Sequence, residues 1–285
     1  MKKAILVLGV ILVLLSGIGC ERGEEVTFPD PSLEAAIREA INKPKGPIYT
    51  GQLEELIYLD ASQKDITDLA GLEHCTNLTM LYLDHNHITD ISPLSGLTNL
   101  TCLSLNNNQI TDISPLSSLT NLTELYLEFN QIADISPLSS LTNLTRLYLR
   151  NNQMADISTL SDLTNLTLLG LEYNQISDVS PLSDLTNLTY LRLERNQISD
   201  VSPLSDLTNL TELNLARNQI SDISPLSGLT NLRYLYLWEN QISDISPLLS
   251  LTHLREVNLM DNPLSTTSIN IYIPTLQAWP VTVKY

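Results

Sequence analysis

Apolar residues recur along this chain with a fixed period of 22 residues. The repeating unit is Leu-Thr-Asn-Leu-Thr-x-Leu-x-Leu-x-x-Asn-Gln-Ile-x-Asp-Ile-Ser-Pro-Leu-Ser-x, and it continues without an insertion over residues 56–264. A period of this length indicates a solenoid, in which each unit forms one coil and contacts only its neighbours. The register gives ten coils, of which the first is atypical, as expected at an exposed end.

Seven positions in each unit are apolar, and they must converge on one interior. Burying them contributes roughly 10–20 kcal/mol per coil, whereas ordering 22 residues costs on the order of 30 kcal/mol. One coil alone therefore does not fold, and stability depends on stacking. The Leu-x-Leu segment predicts a short strand that pairs in parallel with the next coil. The predicted fold is an α/β leucine-rich repeat solenoid with a parallel sheet on its concave face and short 3₁₀ turns on its convex face.

An asparagine follows each strand at a fixed position. An inward-pointing amide has two donors and an acceptor, so it can pair with backbone groups that the sharp turn leaves unsatisfied. We therefore expect a structural ladder, whose nine members are Asn86, Asn108, Asn130, Asn152, Asn174, Asn196, Asn218, Asn240 and Asn262.

The Asp-Ile-Ser-Pro-Leu segment predicts the outer turn of each coil. Ser as a cap and Pro at the first helical position suit a short 3₁₀ or single-turn helix. The aspartates of this segment would stack in one column. A row of calcium ions is the alternative use of such a column, but the loop lacks the ligand density of a calcium loop. We expect the aspartates to cap the turns without binding metal.

Both ends of the solenoid need lids, because a terminal coil exposes its leucines and its strand edge. Residues 28–55 are predicted to form a helical N-terminal cap, in which Asp30 caps the helix and Pro31 starts it. Residues 265–285 are predicted to form a C-terminal cap, with a helix interrupted near Pro274 and a last short strand.

The first residues predict export. Two lysines precede an uncharged stretch that is short for a membrane span and fits a secretory signal, which we assign to residues 1–19. The Gly-Ile-Gly-Cys sequence that ends at Cys20 resembles the lipobox of bacterial lipoproteins, in which the cysteine carries the lipid. Cys20 is thus the predicted lipid anchor, and residues 20–27 are predicted to form a polar tether. Plain secretion and a retained helical anchor are the alternatives.

Charge excludes one class of partner. Loss of the two lysines with residues 1–19 takes the net charge from −17 to −19. Nucleic acid is not expected to bind such an acidic surface. No Gly-x-Ser-x-Gly, His-Glu-x-x-His, phosphate-loop or dinucleotide glycine pattern occurs, so we expect neither enzymatic activity nor a cofactor.

Histidines and cysteines are few. His74, His85 and His87 are too few and too differently directed to predict a zinc site. Cys75 occupies a core leucine position, and Cys102 lies on the side of a strand that faces away from the core. The two should not meet, so we expect free thiols.

Four columns of strand residues point away from the leucines and line the concave face. These columns change from coil to coil, whereas the outer Leu-Thr-Asn and Ser-Pro-Leu-Ser segments stay nearly constant. The chain has 2 Trp, 11 Tyr and 2 Phe, and ten of these aromatic residues lie in the columns. Tyr, Trp and Arg are the residues that are enriched at the energetic centres of interfaces. The predicted partner-binding residues are Tyr126, Phe129, Arg146, Tyr148, Arg150, Leu168, Gly170, Tyr173, Tyr190, Arg192, Arg195, Arg217, Tyr234, Tyr236 and Trp238.

Two structural explanations compete with this hypothesis. Concave positions carry few structural constraints, which alone would let them vary. In-register strands also place residues one period apart about 4.8 Å from each other, so Glu124 faces Arg146, and Glu128, Arg150 and Glu172 alternate in one column. Exposed pairs of this kind contribute only about 0–1 kcal/mol each.

Gly170 interrupts its column between Tyr148 and Arg192. Loss of one side chain there predicts a depression, walled also by Tyr173 and Tyr190, into which a partner inserts a side chain or a sugar. By this hypothesis Gly170→Arg weakens binding and leaves the fold intact.

The repeating unit resembles the internalin-type repeats of bacterial surface proteins. The resemblance covers residues 56–264 and extends to both period and motif. It implies a right-handed solenoid with 3₁₀ turns outside, and protein binding on the concave face. The chain differs in having no evident C-terminal immunoglobulin-like domain and no wall-sorting motif, and in its lipobox-like start. Host invasion, a role of pathogen members of that family, is therefore not predicted for this chain.

The leading prediction is a monomeric, extracytoplasmic lipoprotein that is anchored to the membrane and binds another protein through coils four to nine. Binding of glycan or cell wall by the aromatic columns is the alternative from a different class. A purely structural envelope spacer is the third. A fourth hypothesis is an intracellular phosphatase regulator, because such regulators have repeats of the same length. The export signal argues against it.

Overall fold

One parallel sheet of eleven strands forms the inner face of a right-handed solenoid. The structure, a computed structural model, describes residues 23–285, so the predicted signal peptide (residues 1–19) and the lipid anchor Cys20 lie outside the described residues. Strand order in the sheet follows the order along the chain. Within the repeats each strand pairs with the strand one period later, as Leu81 does with Leu103, and only the last pairing, of Val257 with Val283, has a longer offset. The predicted α/β leucine-rich repeat solenoid is confirmed.

The elements are short, as the repeat length demands. The helices are α1 (Pro31–Ala40), α2 (Thr50–Leu53) and α3 (Ile273–Gln277). The strands are β1 (Glu25–Val26), β2 (Ile48–Tyr49), β3 (Tyr58–Asp60), β4 (Met80–Tyr82), β5 (Cys102–Ser104), β6 (Glu124–Tyr126), β7 (Arg146–Tyr148), β8 (Leu168–Gly170), β9 (Tyr190–Arg192), β10 (Glu212–Asn214), β11 (Tyr234–Tyr236), β12 (Glu256–Asn258) and β13 (Thr282–Lys284). Each outer turn is a 3₁₀ segment of three to five residues, such as Ser92–Leu94.

The apolar positions of successive coils join into one continuous core. In the second coil Leu78, Leu81, Leu83 and Ile88 are fully buried. Met154 takes an isoleucine position in a later coil and is buried as completely, which its unbranched side chain allows. No coil has a core of its own, so the burial depends on the neighbouring coils.

The asparagine ladder joins each turn to the coil before it. The amide nitrogen of Asn152 donates to the carbonyl oxygens of Leu149 in its own coil and Leu127 in the preceding coil, at 3.0 Å each. Its amide oxygen accepts the N–H of Ile132, also one coil back, at 3.0 Å. The same pattern recurs along the column, from Asn86 to Asn262. The predicted satisfaction of turn backbone is confirmed, and the amides also bridge coils.

The aspartate column caps the outer turns, as predicted. Asp112 accepts the backbone N–H of Ser114 at 2.8 Å and the hydroxyl of the same serine at 3.0 Å. These hydrogen bonds to Ser114 lower the pKa of Asp112. Serine was expected to be the cap, but it begins the 3₁₀ segment, and the capping group is the aspartate two residues earlier.

A second asparagine ladder lies on the exposed flank and was not predicted. The amide of Asn165 donates to the carbonyl oxygen of Thr142 in the preceding coil at 2.9 Å. The asparagine of each equivalent segment from Asn77 to Asn231 does the same, and at the corresponding position Nδ1 of His253 donates to the carbonyl oxygen of Thr230 at 2.8 Å. The constancy of this segment therefore has a structural cause.

The N-terminal cap is attached through Asp30. Its carboxylate accepts the N–H groups of Ser32 and Leu33 at the start of α1, as predicted. It also accepts the N–H groups of Thr67 and Asp68 in coil one, at 2.7 and 3.2 Å. Burial raises the pKa of Asp30, but these four backbone hydrogen bonds outweigh it and lower the pKa overall.

The folded cap begins earlier than the tether prediction allowed. β1 pairs with β2 in an antiparallel ribbon, and the side chains of Val26 and Phe28 are buried. The ring of Phe28 lies over Gly71, where a Cβ would be 2.6 Å from the ring and where φ is +102°. Polar composition suggested a tether for residues 20–27, but pairing of β1 with β2 and burial of Val26 make the end of that segment part of the folded cap.

The C-terminal cap closes the other end of the sheet. A π-helical turn at Ser268–Tyr272 leads into α3, and β13 pairs with β12. A helix interrupted near Pro274 was predicted, and the change of helix type falls just before that proline. Ile273 and Leu276 cover the last leucines.

Asn152→Ala should destabilise the protein by about 3 kcal/mol, because three buried backbone groups lose their partners at roughly 1 kcal/mol each. The measurement is the midpoint of urea unfolding. Asn165→Ala is the matched control, since it removes one exposed hydrogen bond and should cost under about 1 kcal/mol. Equal losses in the two variants would contradict the bridging role of the inner ladder.

Attachment of the N-terminal cap should weaken in acid. The folded-state pKa of Asp30 is lowered, so its contribution is complete above the unfolded-state pKa of about 3.9 and is lost as pH falls through the folded-state value. Hydrogen-exchange protection of the α1 amides should therefore fall as pH is lowered below about 4. Asp30→Asn should show weak protection at pH values near neutral and no such acid step. Unchanged protection in that variant would contradict the assignment.

Candidate functional site

The concave face of coils four to nine carries all fifteen predicted partner-binding positions. They occupy the outward positions of β6 to β11 and the two residues that follow the last leucine of each strand segment. The leucines between them, such as Leu147 and Leu169, are fully buried. Alternation along the strand thus separates core from concave surface, as the sequence predicted.

One concave column has a backbone conformation that side chains rarely adopt. The residue before each ladder asparagine has a positive φ, 56° at Phe129, Tyr173 and Arg195 and 54° at Arg217. Its N–H donates to the next coil, as Tyr173 does to the carbonyl oxygen of Glu194 at 2.8 Å. This left-handed turn carries the side chain onto the concave face.

Rings and guanidinium groups alternate in what we call the ring–guanidinium stack, which consists of Phe129, Arg150, Tyr173 and Arg195. The guanidinium carbon of Arg150 lies 5.3 Å from the centre of the Phe129 ring and 4.9 Å from that of Tyr173. The guanidinium carbon of Arg195 lies 4.8 Å from the centre of the same Tyr173 ring. These distances are within the range of cation–π attraction. The stack spans coils four to seven.

Other concave arginines are held by carboxylates. Arg146 pairs with Glu124 at 2.9 Å, as the register predicted. Arg217 pairs with Glu239 at 2.8 Å, and its guanidinium carbon lies 4.6 Å from the centre of the Trp238 ring. The structural explanation of the charges is therefore correct for these arginines.

The expected depression at Gly170 is filled. The ring of Tyr148 leans over the glycine, and a Cβ at Gly170 would lie 2.9 Å from that ring and 3.0 Å from Oε2 of Glu172. Tyr148 is also stacked on Tyr126, with ring centres 5.4 Å apart and planes 6° from parallel. Burial and the hydrogen bond to Glu124 raise the pKa of Tyr126. The absence of a side chain at Gly170 therefore makes room for the Tyr148 ring of the Tyr126–Tyr148 pair, and no open pocket remains.

Glu172 is a buried carboxylate in the middle of this surface. Its residue exposure is 5 %, and burial raises its pKa. Its Oε1 lies 3.9 Å from Nη1 of Arg192, while the other end of that guanidinium binds Glu212 at 2.9 Å. The guanidinium carbon of Arg192 lies 4.6 Å from the centre of the Tyr190 ring.

Buried polar atoms without partners mark one part of the face. Within residues 23–285 they are Oε2 of Glu172 and the Nε atoms of Arg150, Arg192 and Arg217. All four lie on the concave side of coils five to eight. Buried polar groups are normally paired, so their concentration here distinguishes this part of the sheet from the rest of the described chain.

The first coils present a different surface. Cys102 faces the concave side but is buried, with its sulfur 3.7 Å from the hydroxyl oxygen of Tyr82. Cys75 lies in the core, and burial raises the pKa of its thiol to about 12. Both thiols are free, as predicted.

Comparison with known proteins places the chain in a family. The family model for leucine-rich repeats matches residues 54–96, 98–140, 142–184, 186–228 and 230–271. An internalin (inlF) of Listeria monocytogenes is 34% identical, with a TM-score of 0.71, and the match covers 90% of this chain and 88% of that one. The chain is an internalin-type leucine-rich repeat protein.

Two further structures extend the comparison of this internalin-type protein. Internalin C2 (inlC2) of L. monocytogenes is 36% identical, with a TM-score of 0.63, over 84% of this chain and all (100%) of that one. The leucine-rich repeat ectodomain of the receptor kinase GASSHO1/SCHENGEN3 from Arabidopsis thaliana, solved with CASPARIAN STRIP INTEGRITY FACTOR 2, is 27% identical. Its TM-score is 0.64, over 72% of this chain and 27% of that one. No protein with a curated function matches.

The internalin-like fold is typically that of a non-enzymatic interaction module. The similarity of this chain to internalins and to a receptor ectodomain indicates protein–protein interaction. Across residues 23–285, the helices are all too short or too polar to cross a membrane.

Gly170→Ala should displace the Tyr148 ring and cost roughly 1 kcal/mol, because a methyl group there overlaps the ring edge. The measurements are urea unfolding and the NMR shifts of the Tyr126 and Tyr148 ring protons. Gly96→Ala is the control, since nothing lies within 4 Å of a Cβ at that position, and it should be neutral to within about 0.5 kcal/mol. Unshifted ring protons in Gly170→Ala would contradict the seating of Tyr148 on the glycine.

Proposed function

We propose that this protein is an extracytoplasmic, membrane-anchored interaction module that binds another protein on the concave face of coils four to nine. The observation that carries the proposal is the concentration of aromatic rings, guanidinium groups and unpaired polar atoms on this part of the sheet. Tyr, Trp and Arg dominate the energetic centres of protein interfaces.

The state of the aromatic rings favours protein over glycan as the partner. A sugar binds an aromatic residue by laying its apolar face on an open ring face. Here the rings of Phe129, Tyr173 and Trp238 are within 5.3 Å of a guanidinium group, and Tyr126 and Tyr148 are stacked on each other. What these groups offer a partner is ring edges, hydroxyl groups and N–H donors, which suits the mixed polar and apolar surface of a protein.

The side chains are also held in place before a partner arrives. Each stacked arginine has lost part of its rotamer freedom to the ring that it contacts. Because ordering a long side chain on binding costs about 0.5–1.5 kcal/mol, this arrangement reduces the cost of association. A rigid sheet under the side chains serves the same end.

Glycan or cell-wall binding is the second candidate, and Tyr234 and Tyr236 favour it. Both lie on the concave side of β11 and are half-buried. Within the described chain neither ring stacks on another ring or on a cation. Competition by soluble glycans in a binding assay would separate this candidate from protein binding.

The anchoring part of the proposal depends on the N-terminal sequence. The lipobox-like segment ending at Cys20 supports lipidation, and the folded cap begins only a few residues later, at β1. A lipid at Cys20 would therefore hold the N-terminal end of the solenoid close to the membrane surface.

Alanine at Tyr148, Tyr236 and Trp238 together should abolish capture of a partner in pull-downs from cell-envelope extract. Loss of three aromatic contacts at about 2 kcal/mol or more each would raise the Kd of a micromolar complex above the range that a pull-down detects. The readout is the amount of each captured protein, measured by quantitative mass spectrometry.

The matched control is alanine at Tyr58 and Tyr82, which form an aromatic pair on the same face outside the proposed footprint, with ring centres 5.8 Å apart. This variant should capture the partner as well as the wild type does. A triple variant that still captures it would support a structural spacer or another surface, and would contradict the proposal.

A further inference from the structure

The ring–guanidinium stack leaves two arginines without a counter-ion. Arg150 and Arg195 have no carboxylate within 4.0 Å among residues 23–285, whereas Arg146, Arg192 and Arg217 each have one within 2.9 Å. Neither side chain donates a hydrogen bond to another described residue. The two share one ring, that of Tyr173, at 4.9 and 4.8 Å from its centre.

The stacking determines which part of each guanidinium remains for a ligand. A guanidinium group has two faces and an edge of N–H donors, and the donors lie in the plane of the group. Arg150 has a ring within 5.3 Å on each side and Arg195 has one at 4.8 Å, while the N–H donors of the two groups have no acceptor among the described residues, so these donors are the unsatisfied part. A planar fork of donors matches the two oxygens of a carboxylate.

We propose that Arg150, Tyr173 and Arg195 form an acid clamp, which binds an aspartate or glutamate side chain on an acidic segment of the protein partner. This inference rests on the proposed function and adds the chemistry of the partner to it. Arg195 is exposed and offers the first contact, while Arg150 is half-buried and lies one coil below the shared ring.

The charges around the clamp favour a carboxylate over a phosphate. Glu128 and Glu172 lie on either side of Arg150 in its column, one period away in each direction. Glu194 directly precedes Arg195 and follows Glu172 in the same column, so the carboxylates offset the two guanidinium charges, and the site suits a single negative charge that is held by hydrogen-bond geometry. A dianionic phosphate group would need an excess of positive charge at the contact itself.

The acidity of the whole chain does not prevent this contact. The net charge is −17, but at physiological salt the Debye length is about 8 Å, so distant charges are screened. Recognition then depends on groups in direct contact. An acidic chain with two unpaired arginines at the centre of its concave face selects a carboxylate at one position.

The test uses the protein with ¹⁵N-labelled arginine side chains at physiological salt and follows the Nε–H signals by NMR. Acetylated, amidated hexaglutamate is the probe, and the hexaglutamine peptide of the same length is its neutral counterpart. Hexaglutamate should shift the Arg150 and Arg195 signals saturably, and hexaglutamine should not. An equal response to the two peptides would overturn the proposal.

Arg195→Gln should weaken hexaglutamate binding by at least about tenfold, because it removes a charge-assisted fork of hydrogen bonds. Arg255→Gln is the matched control, since Arg255 is also exposed but forms no ion pair or ring contact with another described residue, the neighbouring Glu256 being paired with Lys284; it should change the affinity by no more than about twofold. Equal losses in the two variants would show nonspecific attraction and overturn the clamp.

Inorganic phosphate and acetate as competitors distinguish the two sources of an anionic ligand. Acetate should displace hexaglutamate at least as well as phosphate does. Displacement by phosphate at a much lower concentration would make the site a phosphate site and overturn the assignment. If the clamp fails while partner capture still depends on Tyr148, Tyr236 and Trp238, the proposed function stands and only the acidic chemistry of the partner falls.

Discussion

The amide that each ladder asparagine extends to the preceding coil is the interaction on which the rest of this structure depends. Asn152 illustrates it, with one side chain tying its own turn to two backbone groups one coil away. Hydrophobic burial drives the stacking but does not set its register, because leucine contacts are not directional. The amides fix the register, and the concave columns are then aligned with the spacing of a parallel sheet.

That spacing is what makes the ring–guanidinium stack possible. Arg150 can lie between Phe129 and Tyr173 only because those rings are two coils apart in one column and the arginine comes from the coil between them. The left-handed turn before each asparagine aims the rings at the same face. The stability of this scaffold depends little on its concave side chains, so unpaired atoms such as Oε2 of Glu172 are tolerated on the concave face. A rigid sheet and unpaired polar groups on its concave face are two properties that suit a binding surface.

Periodicity explains why so much of the fold could be predicted from the sequence. A repeat of 22 residues determines which residues are neighbours, so the strands, the inner asparagines, the capping aspartates and the Glu124 to Arg146 pair followed from counting. Side-chain direction within a column does not follow from counting. Tyr148 leans over Gly170 and fills the space that a missing side chain suggested, and Arg150 and Arg195 lie beside the Tyr173 ring, a contact that counting does not show. The cap also begins earlier than composition implied, because β1 pairs with β2 and the side chain of Val26 is buried.

The most direct test of the central claim is hydroxyl-radical footprinting of the protein with and without its captured partner. The aromatic rings report on the concave face, since ten of them lie there. The account predicts protection of Tyr148, Tyr173, Tyr236 and Trp238 on binding, with Tyr58 and Tyr285 unchanged. Protection confined to the caps or to the convex turns, with the concave rings of coils four to nine still oxidised at their free rate, would contradict it.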